Sequence, residues 1–182
     1  MKLANTFLLL LAAFVAVFLQ SAFGTRGWLG AQLNVLPALI VFASLSGGII
    51  TVALLAVCGG LWFDSLSANP LGISMLPLFL IGFVIHRQRE LILRDQFYAQ
   101  FVLGLAASFF APLAVLLTLF TMGRNPLVGW GTLWQLLVMA FAGGFLVPMS
   151  FKFFALLRRT FFFQPLTQSG FRTDREIRRG RN

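Results

Sequence analysis

Uncharged apolar runs of bilayer length dominate this chain. No charged residue interrupts 6–19, 27–63, 71–85, 96–121 or 132–151, and crossing a hydrocarbon core of roughly 30 Å takes about 20 apolar residues in a helix. A water-soluble domain could not bury so much apolar surface. Apolar residues make up 59% of the 182 and charged residues 10%, against roughly 45–50% and 25% in soluble domains. The chain is therefore read as an all-α polytopic membrane protein. The same scarcity removes several kinds of chemistry. Five acidic residues, one cysteine and one histidine do not furnish a two-carboxylate hydrolytic site, a zinc site or a disulfide framework, so neither metal nor cofactor is expected. The net charge of +9 has no aromatic-basic platform beside it, and it fits lipid headgroups and membrane orientation better than nucleic acid.

Six spans are expected, at about 5–23, 29–46, 49–66, 71–86, 96–121 and 132–157, in a transmembrane domain over 1–159, with a basic cytoplasmic tail over 160–182. The first follows Lys2 and mimics a secretory signal, with Ser21, Ala22 and Gly24 near its end. Its apolar run is at the long end for a signal core and more spans follow, so it is read as a retained anchor. The second is short and contains Pro37, which suits an irregular start or a tilt. Gly47 and Gly48 form a turn, and the stretch from Ser67 to Pro70 closes the third span. The polar segment from Arg87 to Asp95 suits a short helix along the membrane surface. Trp130 and Trp134 suit an interface.

Lysine and arginine set the orientation. With both termini inside, 12 of the 14 lie on the inner side, leaving Arg26 and Arg124 outside. A five-span topology with one helix over 29–66 gives the same partition, but that helix would extend roughly 57 Å, well past the hydrocarbon thickness. A six-helix transmembrane bundle with both termini cytoplasmic is the expectation.

Asp64 is the single acidic residue within these spans. A carboxylate near the bilayer centre costs roughly 2.5 kcal/mol or more, so it calls for a partner or a cavity. Three roles are open to it. At the interface it would accept hydrogen bonds from the turn over 65–72 and the start of the next helix, whose dipole favours an anion. It could instead pair with Arg26 or Arg124, or serve a proton or substrate site, although no second span carboxylate exists to form a relay. His86 reads as an interfacial polar residue and Cys58 as a small buried apolar one. Many of the 22 phenylalanines, including those at 151, 153, 154 and 161–163, read as lipid-facing bulk. Small residues four apart, Ala12/Ala16, Ala56/Gly60, Gly104/Ser108 and Ala140/Gly144, would let helices approach closely. No catalytic motif is present, so an enzyme is the least supported class.

The stretch Gly60-Leu-Trp-Phe-Asp64-Ser-Leu-Ser-Ala-Asn-Pro70-Leu71-Gly72 resembles the signature of the MreD family, rod-shape-determining membrane proteins of bacteria. In that family a glycine precedes an aspartate near the end of a span and a Pro-Leu-Gly-like triplet opens the next. Pro37 early in span two, Pro148 in the last span, and Arg158 and Arg159 directly after it are supporting matches. The uncharged turn at Gly47 and Gly48 and the long tail depart from the pattern. What the resemblance implies is a non-enzymatic scaffold subunit of the cell-elongation machinery. Its partners would be an MreC-like single-span protein and, through it, the MreB filament, RodA and a class B penicillin-binding transpeptidase, with membrane lipids around it. The alternative is the substrate-binding membrane subunit of an energy-coupling-factor-type vitamin importer. Such subunits are also basic and six-span, with an Ala-x-x-x-Ala pattern in span one that Ala12 and Ala16 satisfy.

Overall fold

The computed structural model of the chain describes residues 2–22, 30–67, 69–89, 96–124 and 129–161. All regular structure among the described residues is α-helical: α1 Lys2–Ala22, α2 Leu36–Ser46, α3 Ile49–Leu66, α4 Met75–Gln88, α5 Phe97–Thr121 and α6 Trp130–Phe161. Three of these, α3, α5 and α6 over Trp130–Leu157, are long and apolar enough to cross a membrane. The third expected span coincides with α3, and the first and fifth agree with α1 and α5 to within a few residues. Two helices start later than expected. The second begins at Leu36 instead of 29, because Pro37 takes its first turn, where a missing amide donor is harmless and the fixed φ is already helical. The fourth begins at Met75 instead of 71, after a turn in which Gly72 has φ +90°. The last helix is longer than its expected span and runs past 159 to Phe161. The segment 90–95, Arg26 and the tail from 162 lie outside the described residues.

The short helix α2 occupies the centre. It touches each of the other five, and all its residues except Phe42 and Ser46 are buried. A helix apolar on every side belongs in an interior. Eleven residues make roughly 16 Å of helix, far short of a bilayer core, so the backbone at its ends needs partners from elsewhere. Gln20, from the last turn of α1, donates to the Leu33 carbonyl and accepts the Val35 amide at 3.2 Å. Asn34 Oδ1 accepts the Leu36 amide at 3.0 Å. At the other end the His86 ring nitrogen Nδ1 donates to the Ser44 carbonyl at 3.0 Å, and Arg89 Nη1 donates to the Gly47 carbonyl at 3.3 Å. Side-chain donors at a helix C-terminus satisfy carbonyls that the helix itself leaves unpaired.

Paired contacts fix the direction of each helix. Thr6 meets Thr51 through their hydroxyls at 2.9 Å, and Phe14 meets Trp62 edge-on at 5.2 Å, so α1 and α3 are parallel. Val52 lies against Gly82 and Gly60 against Met75, which makes α3 and α4 antiparallel. Ile40 faces Gly82 while Ser44 reaches His86, so α2 runs with α4. Gly30 lies beside Trp134 and Phe42 stacks on Phe154, so α6 runs the same way. Phe101 packs on Phe145 and Ser108 on Gly143, which makes α5 antiparallel to α6. Successive helices therefore alternate in direction.

The outer surface of the bundle is largely apolar. Large apolar side chains stand exposed in stripes at helical spacing, as with Leu133, Leu137, Phe141, Phe145 and Met149 on α6. Among the described residues, Ser44, Asp64, Ser74, Gln100 and Ser108 are polar and buried. Three hydroxyls within the helices return to their own backbone: Ser44 to Ile40, Thr118 to Ala114 and Ser150 to Leu146, at 2.7, 2.8 and 2.7 Å. The phenylalanines divide between the two faces. Phe153 is exposed, whereas Phe154 is buried and stacks on Phe42 at 4.4 Å, so the aromatic run at the end of α6 is partly internal.

Small residues bring α5 and α6 together. A Cβ on Gly143 would lie 1.8 Å from Ser108 Oγ and 2.8 Å from the Gly104 carbonyl oxygen, and one on Gly104 would lie 2.4 Å from the Gly143 carbonyl oxygen. Backbones this close maximise dispersion where no hydrophobic driving force separates helix from lipid. Gly143→Ala must push the helices apart, at about 1–3 kcal/mol, lowering the unfolding midpoint in detergent by roughly 2–4 °C per kcal/mol. Gly131→Ala, on the same helix with nothing within 4 Å of the added carbon, should leave the midpoint unchanged or raise it.

Candidate functional site

The joint between α3 and α4 is built around Asp64. This residue lies in the last turn of α3, two residues before its end, with 1% of its surface exposed. Its Oδ2 accepts the backbone N–H of Ser74 at 3.0 Å, and its Oδ1 accepts the Ser74 hydroxyl at 2.5 Å. Ser74 occupies the N-cap position of α4, yet its side chain makes no bond to its own helix. The cap hydroxyl is turned across to the carboxylate instead. Charge-assisted bonds of this kind are roughly twice as strong as neutral ones, and a carboxylate next to a helix N-terminus also gains from the dipole. Of the three roles open to Asp64, the hydrogen-bonded one is what the described residues display. Both bonds come from Ser74, two residues beyond the 65–72 turn and at the N-cap of the next helix. Arg124 is exposed, and Arg26 lies outside the described residues.

The chain between the two helices is tied to the same residue. The Ser67 amide and hydroxyl both donate to the Asp64 carbonyl oxygen, at 3.2 and 3.3 Å. Asn69 N–H reaches Ser67 Oγ at 3.4 Å, Ile73 N–H reaches the Pro70 carbonyl at 3.4 Å, and Met75 N–H reaches the Gly72 carbonyl at 3.3 Å. Asp64 therefore holds the end of one helix with its backbone and the start of the next with its side chain. Two glycines make this approach feasible, for different reasons. A Cβ on Gly60 would sit 3.0 Å from both the nitrogen and the Cα of Met75, so the α4 backbone lies directly over it. Gly72 adopts φ +90°, a conformation that L side chains resist. A Cβ there would meet only the Met75 sulfur, at 3.9 Å. Close approach explains Gly60, and turn geometry explains Gly72.

The remaining expected residues are dispersed. Pro70 is half-buried in the turn, and Leu71 is exposed beside it. Pro37 sits in the first turn of α2, next to Leu36, whose Cδ2 lies 2.9 Å from the Cβ position of Gly59. It thus borders the joint across one packing layer. Pro148 is buried within α6, on the helix that pairs with α5, and is not part of the joint. Arg158 and Arg159 belong to the last turns of α6, and their side chains lie outside the described residues. His86 is half-buried and ties α4 to α2, an internal bond in place of a purely interfacial role. Cys58 is half-buried instead of fully enclosed. Ala12 and Ala16 are half-buried against the protein's own core.

Ser74 and Gln20 are two residues of these sites that the sequence alone does not single out. A serine immediately before an apolar helical run is a helix-start signal. It marks Ser74 once α4 is taken to begin at Met75. Nothing in the sequence distinguishes Gln20, which acts on backbone groups 13 and 15 residues away. No family model, no curated protein and no solved structure matches the chain.

The Asp64 joint yields an ordered set of stabilities. Asp64→Asn keeps an oxygen for the Ser74 amide and adds an N–H able to donate to the Ser74 hydroxyl, so the loss is small. Asp64→Leu strands two buried donors at about 1–3 kcal/mol each. Thermal unfolding in detergent should rank wild type first, Asn next and Leu last, with Gly72→Ala lowered by about 1–2 kcal/mol for its positive φ. Equal collapse of the Asn and Leu variants would show that the negative charge itself is indispensable.

Proposed function

We propose that the protein is a non-enzymatic, MreD-like membrane scaffold of the bacterial cell-elongation machinery. The observation that carries this reading is the convergence of the motif on one joint. Gly60, Asp64 and Gly72, the residues on which the resemblance chiefly rests, together set how α3 meets α4. Their chemistry is spent on geometry: both carboxylate oxygens are engaged by Ser74. A scaffold works by presenting helix faces in a fixed arrangement, and a motif that locks two helices serves that end directly. In this reading the protein holds an MreC-like single-span partner in place, and through it the MreB filament, RodA and a class B transpeptidase.

The same proposal includes the topology. Six crossings with both termini cytoplasmic accommodate the alternating helix directions. The short helix α2 completes its passage with the non-helical chain before it, which is tolerated where protein encloses it. Under that arrangement Arg87, Arg89 and Lys152, all exposed, share the inner side. Arg124, at the end of α5, lies on the outer side. Cysteines introduced at Ser67 and Asn125 should react with a membrane-impermeant reagent from outside, and one at Gln88 only after permeabilisation. Labelling of Gln88 in intact cells would overturn the topology.

Function is tested by depletion in the native host. A scaffold of this type predicts rounded, widened cells with normal vitamin uptake, and Gly60→Leu should weaken co-purification of the single-span partner while insertion persists. The importer alternative predicts a purified protein that binds a small vitamin, co-purifies with an ATPase module and leaves cell shape unchanged when deleted. Vitamin binding together with normal shape would refute the scaffold reading.

A further inference from the structure

The close approach of α5 and α6 coincides with a weak point in both helices. Pro112 lies inside α5 and Pro148 inside α6, and a proline has no N–H, so the carbonyls of Ser108 and Gly144 each lose the helical donor four residues ahead. These two carbonyls are at one level of the bundle. Ser108 is packed against Gly143, the residue before Gly144, with its Oγ 1.8 Å from where a Cβ on Gly143 would stand. The Ser108 hydroxyl is itself fully buried and makes no hydrogen bond, although Ser44, Thr118 and Ser150 return theirs to the carbonyl four residues before. A buried donor without an acceptor thus lies beside carbonyls without their usual donors.

Burial along α5 changes at the same level. Ala107 is enclosed with Ala38, Val41, Leu45, Ile85 and Val147, and every buried residue of α5 precedes Pro112. From Pro112 to Thr121 none is buried. A segment with few enclosed contacts opens at low cost, and sharp helix bends occur at prolines. We propose that α5 is hinged between Ser108 and Pro112, and that the segment 112–121 is a limb with a second position in which Ser108 Oγ donates to the Gly144 carbonyl. The bend gives up part of the close backbone packing and gains one buried hydrogen bond, so the two positions stay close in free energy. The exposed Leu117 and Phe120 swing with the limb while the inner half of α5 stays packed.

Pulsed electron paramagnetic resonance on the full chain tests the hinge. Spin labels go on Leu61→Cys in α3 and Phe120→Cys near the tip of the limb, both exposed positions, with Cys58→Ala removing the native thiol. A bend of about 20° would carry Phe120, roughly 18 Å beyond Ser108, by about 6 Å. Two distance populations are expected. Pro112→Ala should merge them into one by restoring the missing helical bond, and Ser108→Ala should lower the second population about fivefold by removing its hydrogen bond. Should Pro112→Ala fail to fold, Ser108→Ala decides alone. A single population in the parent protein, or two that do not respond to Ser108→Ala or to a folded Pro112→Ala, would rule the hinge out.

Discussion

A backbone that leaves helical geometry inside an apolar bundle must find its hydrogen bonds in side chains, and this fold is arranged around two places where that happens. Helix α2 spans only 11 residues, so its flanks are non-helical chain close to the core. Each unpaired amide or carbonyl there would cost several kcal/mol in lipid. Gln20 and Asn34 answer at one end, His86 and Arg89 at the other. Gln20 reaches from α1 to the chain just before α2, and His86 and Arg89 reach from the end of α4 to the last turn of α2 and the residue after it. The satisfaction of the shortest helix is thereby what joins it to its neighbours, and its central position follows from having its apolar surface covered on almost every side.

The second break, between α3 and α4, is solved by a charged group. Ser74 offers two donors from one residue, its amide and its hydroxyl, and a carboxylate is the side chain with two acceptor atoms at the spacing to take both. Asparagine at 64 could take one and return one, while leucine could take none. The use of a charge in this place also explains its depth in the bundle. Burial to 1% exposure strengthens the bonds, because water does not compete for them.

The long spans were legible because hydropathy and helix length coincide there: 49–66 was read in full, and α5 to within a residue. Hydropathy failed where uncharged, largely apolar chain is not helical. The residues before Leu36 are uncharged, so their transfer preference resembles that of a span, and only Pro37 signalled a later start. The same holds for 71–74, where Gly72 carried the conformational signal. At the joint, Asp64 was legible through its cost in lipid and Gly60 through the resemblance. Ser74 was hidden by a helix boundary placed four residues early, which turned a cap into an interior position. Gln20 depends on tertiary proximity, which no local pattern encodes.

The two faces of the bundle obey different rules, and this difference sets what each can contribute. Outward residues such as Leu137, Phe141 and Met149 are bulky and exposed, so exchange among apolar side chains there changes little of the internal packing. Inward residues are small where backbones meet, as at Gly104 and Gly143, and polar where backbones break, as at Ser74. Because association in lipid relies on close packing and hydrogen bonds more than on apolar burial, the inner rules determine the shape that the outer stripes present. An altered α3–α4 joint would rotate the exposed faces of both helices without changing a residue on either. That is the physical route by which a motif buried within the bundle can govern the surface that the bundle presents.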